Sequence, residues 1–215
     1  RILVRETGGK VFINGRADQG PIALALALCG PERFLTWAGD PEYRLHVLRL
    51  LQITSRMNVA LGEAQIRAGA HGSTIGLAGT SLISPTMFDE LELPGAQAFC
   101  AAMHRAGGRA LVHACGNETK LIDHLVLTGA DCLELDPGTD PAACKEATRG
   151  RTGVLGMLDP VHVLRDGTIE DVRRHVLETL KTMAPGGGYI MGPGCCLPPD
   201  TPIEHGIRQF IAWYR

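Results

Sequence analysis

His113, Cys115 and Cys195 combine residue types and spacing that suit a metal. His113 and Cys115 sit in Leu111-Val112-His113-Ala114-Cys115-Gly116-Asn117, and Cys195 lies 80 positions beyond Cys115 in Gly192-Pro193-Gly194-Cys195-Cys196-Leu197-Pro198-Pro199. One imidazole and two thiolates match a borderline-soft cation such as zinc, and three protein ligands leave a fourth position open for substrate. The spacing of two between His113 and Cys115 points both side chains to one face at a strand end. Gly116 then lets the backbone turn. The plainer interpretation of these two residues is a small buried thiol and a hydrogen-bonded core imidazole. Spacing alone does not choose between Cys195 and Cys196, which face apart in a proline-stiffened loop. Glu134 and Asp136 share a face at another strand end, and either suits a weak fourth ligand or an acceptor for the His113 ring N–H. Asp136-Pro137-Gly138 reads equally well as a turn.

These residues need a frame, and the chain supplies strands alternating with helices. Strands are expected at Lys10–Gly15, Ser73–Leu77, Arg109–His113, Asp131–Leu135, Gly153–Met157 and Tyr189–Gly192. Helices are expected at Pro21–Leu28, Pro41–Gly69, Pro85–Ala106 with a break near Pro94-Gly95, about Glu118 to Leu127, Pro141–Ala147, Ile169–Met183 and Pro202–Tyr214. Such alternation implies a parallel sheet in an α/β fold, either open and doubly wound or closed as a barrel. No Gly-x-Gly-x-x-Gly follows the first strand, which weakens a dinucleotide-binding sheet. The chemistry-bearing residues fall at strand ends, where a barrel builds its active site. The expectation is one domain over residues 1–215, a TIM-type (β/α)8 barrel with six of its strand–helix units present and its N-terminal portion lacking. Asp159-Pro160 reads as a helix cap followed by proline at the first helical position.

Composition narrows the function classes. The 215 residues are 45% hydrophobic and 20% charged, with a net charge of −2, ordinary for a globular domain and without a nucleic-acid footprint. The longest apolar run, Pro21 to Cys29, is too short for a membrane span. No signal peptide is evident, and seven irregularly spaced cysteines argue against a disulfide framework, so the expected compartment is the cytoplasm. Cys29, Cys100, Cys132 and Cys144 read as packing residues.

The order of motifs resembles the uroporphyrinogen decarboxylase superfamily. His113-Ala114-Cys115-Gly116-Asn117 is followed by Thr128-Gly129-Ala130-Asp131 with Leu135-Asp136. Gly156-Met157-Leu158-Asp159-Pro160 comes next, and then Gly192-Pro193-Gly194-Cys195 with Pro199-Asp200-Thr201-Pro202. The resemblance runs from about Gly15 to the C-terminus and is strongest after residue 107. It implies a distorted (β/α)8 barrel. The decarboxylases carry a Gly-His-Gly turn where this chain has Gly194-Cys195-Cys196, and they lack the His-x-Cys. The other branch is similar to methylcobamide:coenzyme M methyltransferases, whose His-x-Cys and later Pro-Gly-Cys bind zinc.

By that resemblance the ligands are His113, Cys115 and Cys195, while Asp136 stays a further candidate from its place at a strand end. The implied activity is transfer of a methyl group from a methylcorrinoid, carried by a partner protein, to a small thiol activated on Zn2+. A tetrapyrrole decarboxylase without a metal and a non-catalytic zinc protein are the alternatives. Unpaired strands at an open barrel edge invite association into a homo-oligomer. Two positions depart from the family: Met157 stands where Asn is common, and Gly76-Leu77-Ala78-Gly79-Thr80 lacks the usual acidic residue.

Overall fold

The computed structural model describes residues 1–203. Among them, six parallel strands form one sheet: β1 Asn14–Gln19, β2 Gly72–Leu77, β3 Arg109–Ala114, β4 Cys132–Leu135, β5 Gly153–Leu158 and β6 Tyr189–Pro193. Their order in space is their order in sequence, with no reversal. A doubly wound sheet needs a switch point, and an unbroken series does not have one, so the winding is that of a barrel.

The helices are α1 Ile2–Thr7, α2 Pro21–Cys29, α3 Pro31–Gly39, α4 Arg44–Arg67, α5 Pro85–Met87, α6 Leu93–Arg105, α7 Ile122–Val126, α8 Pro141–Thr148 and α9 Ile169–Met183. Helix α9 matches its expected bounds because the signals are local. Thr168 Oγ1 accepts the Asp171 N–H and Asp171 Oδ2 accepts the Thr168 N–H, a reciprocal cap.

Alternate strand residues divide between two environments. Ala17, Ile75, Leu77, Val112, Ala114, Leu133, Leu135 and Val154 point outward and are buried against helix residues such as Phe99, Met103 and Leu125. Each such aliphatic side chain contributes roughly 1.5–3 kcal/mol. The inner face carries Thr74, His113, Glu134 and Gly192 beside apolar Leu111, Leu155 and Ile190. Ile190 is 56% exposed, so this face is accessible. A second core joins α2, α3 and α4 through Ile22, Phe34 and Leu51.

Three expectations need correction. The first strand is Asn14–Gln19, not Lys10–Gly15. Val11 and Phe12 are exposed, and Phe12 lies against the His71 ring at 5.6 Å between centroids. The true strand is polar on its inner face, where Asn14 Nδ2 donates to Thr74 Oγ1 at 2.6 Å. The expected break near Pro94-Gly95 is a π-helical turn, Phe88–Glu92, running directly into α6. Asp159 caps a turn rather than a helix, accepting the N–H groups of Val161 and His162. Helices α1 and α3 were not anticipated. The helix expected at Pro202–Tyr214 lies almost wholly outside the described residues.

Candidate metal centre

Strand β3 presents His113 inward and ends at Ala114, so Cys115 falls at the mouth. Gly116 turns the chain with φ 97, and its N–H donates to Asp136 Oδ2 at 2.7 Å. Cys195 arrives from β6, three strands further round the sheet from β3. The loop Pro193-Gly194 crosses over Gly156 and packs on the end of β4. A Cβ on Gly194 would lie 2.7 Å from Leu135 O and 2.8 Å from the Asp136 Cα, and one on Gly156 would lie 2.8 Å from Leu135 O. Only glycine permits that approach.

The crossing brings three donors together. The ligand atoms of His113, Cys115 and Cys195 all lie within 4.8 Å of one another, with the imidazole buried and both thiols half-buried. His113 Nε2 lies 2.9 Å from Cys115 Sγ and 3.7 Å from Cys195 Sγ. A tetrahedral zinc keeps its nitrogen and sulfur donors about 3.5 Å apart. Cys195 already meets that separation, and Cys115 meets it by opening roughly half an ångström. Cys196 is exposed and stands outside the group.

Glu134 and Asp136 divide the roles that sequence left open. His113 Nδ1 lies 3.2 Å from Glu134 Oε2, near enough for an ion pair but without hydrogen-bond alignment. Glu134 is therefore placed to accept a hydrogen bond from Nδ1–H once Nε2 faces a metal. Asp136 is outside the ligand group. Its Oδ2 holds Gly116, and its buried Oδ1 has no hydrogen-bond partner among the described residues.

The electrostatics fit a cation. Burial pushes the Cys115 thiol up to about 12, with the neighbouring Cys195 and Asp136 adding to it. Burial likewise raises Cys195, Asp136 and Glu118. Two thiols and two carboxyls, each with its acid form favoured by burial, make a cluster that a divalent ion would suit.

Glu118 was not foreseen, since it reads as the first residue of a surface helix. It is fully buried, accepts the Thr80 hydroxyl at 2.7 Å, and leaves Oε2 without a partner among the described residues. Met157, where the family commonly has Asn, adopts φ 70. That left-handed conformation is one Asn tolerates and Met does not favour.

Comparisons with known proteins give the family and the fold. The uroporphyrinogen decarboxylase (URO-D) family model matches residues 1–214. This chain belongs to that family. A methylcobamide:CoM methyltransferase MtbA of Methanosarcina mazei is 30% identical over 209 residues, covering 94% of this chain and 58% of the relative. A uroporphyrinogen decarboxylase of Coxiella burnetii is 26% identical over 159 residues, covering 73% of this chain and 44% of the relative. A solved methyltransferase from Methanosarcina mazei superposes with TM-score 0.85 at 22% identity, over 100% of this chain and 62% of the other. That superposition shows the shared barrel fold. The chain spans about half to three-fifths of the length of its methyltransferase relatives. Among the described residues, no helix is long and apolar enough to cross a membrane.

Proposed function

We propose that this URO-D family chain carries the zinc centre of a methyltransferase that moves a methyl group from a corrinoid to a thiol. The observation that carries the reading is the convergence of His113, Cys115 and Cys195 within 4.8 Å. The ligands would be Nε2 of His113 and Sγ of both cysteines. Bound there, zinc would supply a Lewis acid that holds an incoming thiol as its thiolate at neutral pH. The net exchange is one carbon–cobalt bond for one carbon–sulfur bond, with the bonding pair left on cobalt and the thiol proton released.

The chain's own residues have defined parts in this reading. Glu134 orients the imidazole through Nδ1. Gly116, tied to Asp136, fixes the direction of Cys115. Gly194 and Gly156 allow Cys195 to cross to its partners. The corrinoid would arrive on a partner protein at the accessible mouth, and the names of the methylcobamide-dependent relatives support this.

A tetrapyrrole decarboxylase would need none of the three donors. Metal analysis of the full-length protein decides between the two. About one zinc per chain, lost in Cys195→Ser, is expected. A protein without zinc, or a Cys195→Ser variant with undiminished zinc, sinks the methyltransferase reading.

A further inference from the structure

Helices α4 and α6 lie side by side on the outer face of β1, β2 and β3. At Gly62 of α4 they close on one another. A Cβ there would lie 2.7 Å from Met103 Cε and 2.8 Å from Phe99 Cε2. Towards the start of α4 the two helices part, and a cavity of about 580 Å3 opens between them. Its floor is apolar, with Leu51 and Leu91 buried and Leu48 half-buried.

The π-helical turn Phe88–Glu92 stands where the helices part and leads directly into α6. Three contacts hold it. His124 Nδ1 lies 2.7 Å from Asp89 Oδ1, Arg44 Nη2 donates to Glu90 Oε2 at 2.6 Å, and the Ile22 N–H donates to the buried Glu92 Oε2 at 2.8 Å. Turns of this kind inside helices are rare and concentrate at functional sites. This one stands on the far side of the sheet from His113, so the donor group does not account for it.

The rim of the cavity is charged. Arg49 and Arg56 line it from α4, two helical turns or roughly 10 Å apart along the axis. Both residues are exposed, and among the described residues neither guanidinium makes a hydrogen bond or ion pair. The carboxylate on the opposite wall, Glu90, is taken up by Arg44. The space therefore has an apolar floor and two unspent cations, a pattern that suits an amphiphilic anion. It is also short. The Gly62 contact closes one end and the Arg44–Glu90 pair closes the other, so a partner helix, which needs an open-ended groove, does not fit.

We propose that the trough between α4 and α6 binds a medium-chain aliphatic carboxylate, with its tail on Leu48, Leu51 and Leu91 and its head on Arg49 and Arg56. The volume is within the range of small-molecule sites, which are mostly apolar with a few polar groups that fix orientation. A guanidinium offers paired N–H donors that match the two carboxylate oxygens. The acid is a ligand of the outer wall and not a reactant, so the proposal stands apart from the methyl-transfer reading.

The test is calorimetry on the full chain with octanoate, and with octanol and acetate, which lack its charge and its tail. Octanoate should bind at least about tenfold tighter than either. Ala98 is an exposed residue of the α6 wall, and Ala98→Phe should fill the trough and lower octanoate affinity at least about tenfold with thermal stability kept. Arg49→Met combined with Arg56→Met should bring octanoate down to the affinity of octanol. The arginine variant is read by itself, so an Ala98→Phe chain that does not fold leaves the decision with it. Absence of octanoate binding, equal affinity for octanoate and octanol, or an octanoate affinity that the arginine variant leaves unchanged overturns the proposal. Sedimentation examines the other occupant: a dimer that Ala98→Phe converts to a monomer assigns the trough to a second copy of the chain and also overturns it.

Discussion

His113 and Glu134 are direct register partners on β3 and β4, and their facing atoms, Nδ1 and Oε2, lie 3.2 Å apart. A carboxylate there is placed to favour Nδ1 as the protonated nitrogen, which would leave Nε2 for a metal. Glu134→Gln should lower zinc affinity by about 10- to 100-fold with the fold retained. Competition against a chelator of known affinity measures this. An unchanged affinity would mean that Glu134 does not orient the ring.

The two adjacent cysteines should behave differently. Cys195 is half-buried in the donor group and Cys196 is exposed outside it. Cys195→Ser and Cys115→Ser should each cost most of the bound zinc, whereas Cys196→Ser should keep it. Metal content per chain after dialysis is the readout. Equal losses at Cys195 and Cys196 would contradict the geometry.

Metal binding should weaken as pH falls. Burial holds both Cys115 and Cys195 above the ordinary thiol range, so each is protonated at neutral pH without a cation. Ligation expels both protons, and each contributes about one power of ten in affinity per pH unit. Apparent zinc affinity should therefore drop by up to about a hundredfold for each unit of acidification. A flat profile between pH 6 and 8 would show that thiolates are not the ligands.

Gly194→Ala tests the loop crossing. The added Cβ would meet Leu135 O and the Asp136 Cα, backbone atoms that cannot move aside cheaply. The loop must lift, taking Cys195 away from His113. Zinc affinity should fall at least tenfold, with thermal stability of the metal-free protein changing by no more than about 1–3 kcal/mol. Full zinc retention would show that the crossing is not what places Cys195.

Glu92 should make the fold sensitive to alkali. Burial raises its carboxyl from 4.5 to about 8, with Ile22 N–H donating to Oε2 at 2.8 Å as the weaker, opposing influence. A folded-state pKa above the unfolded value means that the protonated form is favoured by folding. The contribution is full below about pH 4.5 and is lost as pH rises towards about 8, a change on the order of a few kcal/mol. Glu92→Gln stays neutral and should flatten this slope in chemical denaturation of metal-stripped protein. A slope that survives the substitution assigns it to another group.

Sequence made much of the centre legible because metal chemistry is carried by residue type. His113-x-Cys115 at a strand end and a later Pro-Gly-Cys are local patterns. The choice of Cys195 over Cys196 was not local, because it depends on Gly194 packing against Leu135 and Asp136 from another strand. The roles of Glu134 and Asp136 depended on register across the sheet, which no single-strand pattern contains. The first strand was misplaced because Val11, Phe12 and Ile13 look like a buried run, while the strand itself is Asn14-Gly15-Arg16-Ala17-Asp18-Gln19. Its bulge at Asp18 left no signal, since the residue reads as ordinary loop until its backbone, at φ 66, is seen. Helix α9 carried its cap and amphipathic face within its own segment and was legible to the residue.

The loop that carries Cys195 across the sheet also orders events in time. During synthesis His113 and Cys115 leave the ribosome 80 residues before Cys195, an interval of several seconds at about 5–20 residues per second. A nascent chain at that stage offers only two donors, on a strand whose later neighbours do not yet exist. In the folded chain β4 and β5 stand between β3 and β6, the strand that leads to the third donor. A cation that needed all three would be acquired last, and its retention would report that the C-terminal half of the sheet has assembled.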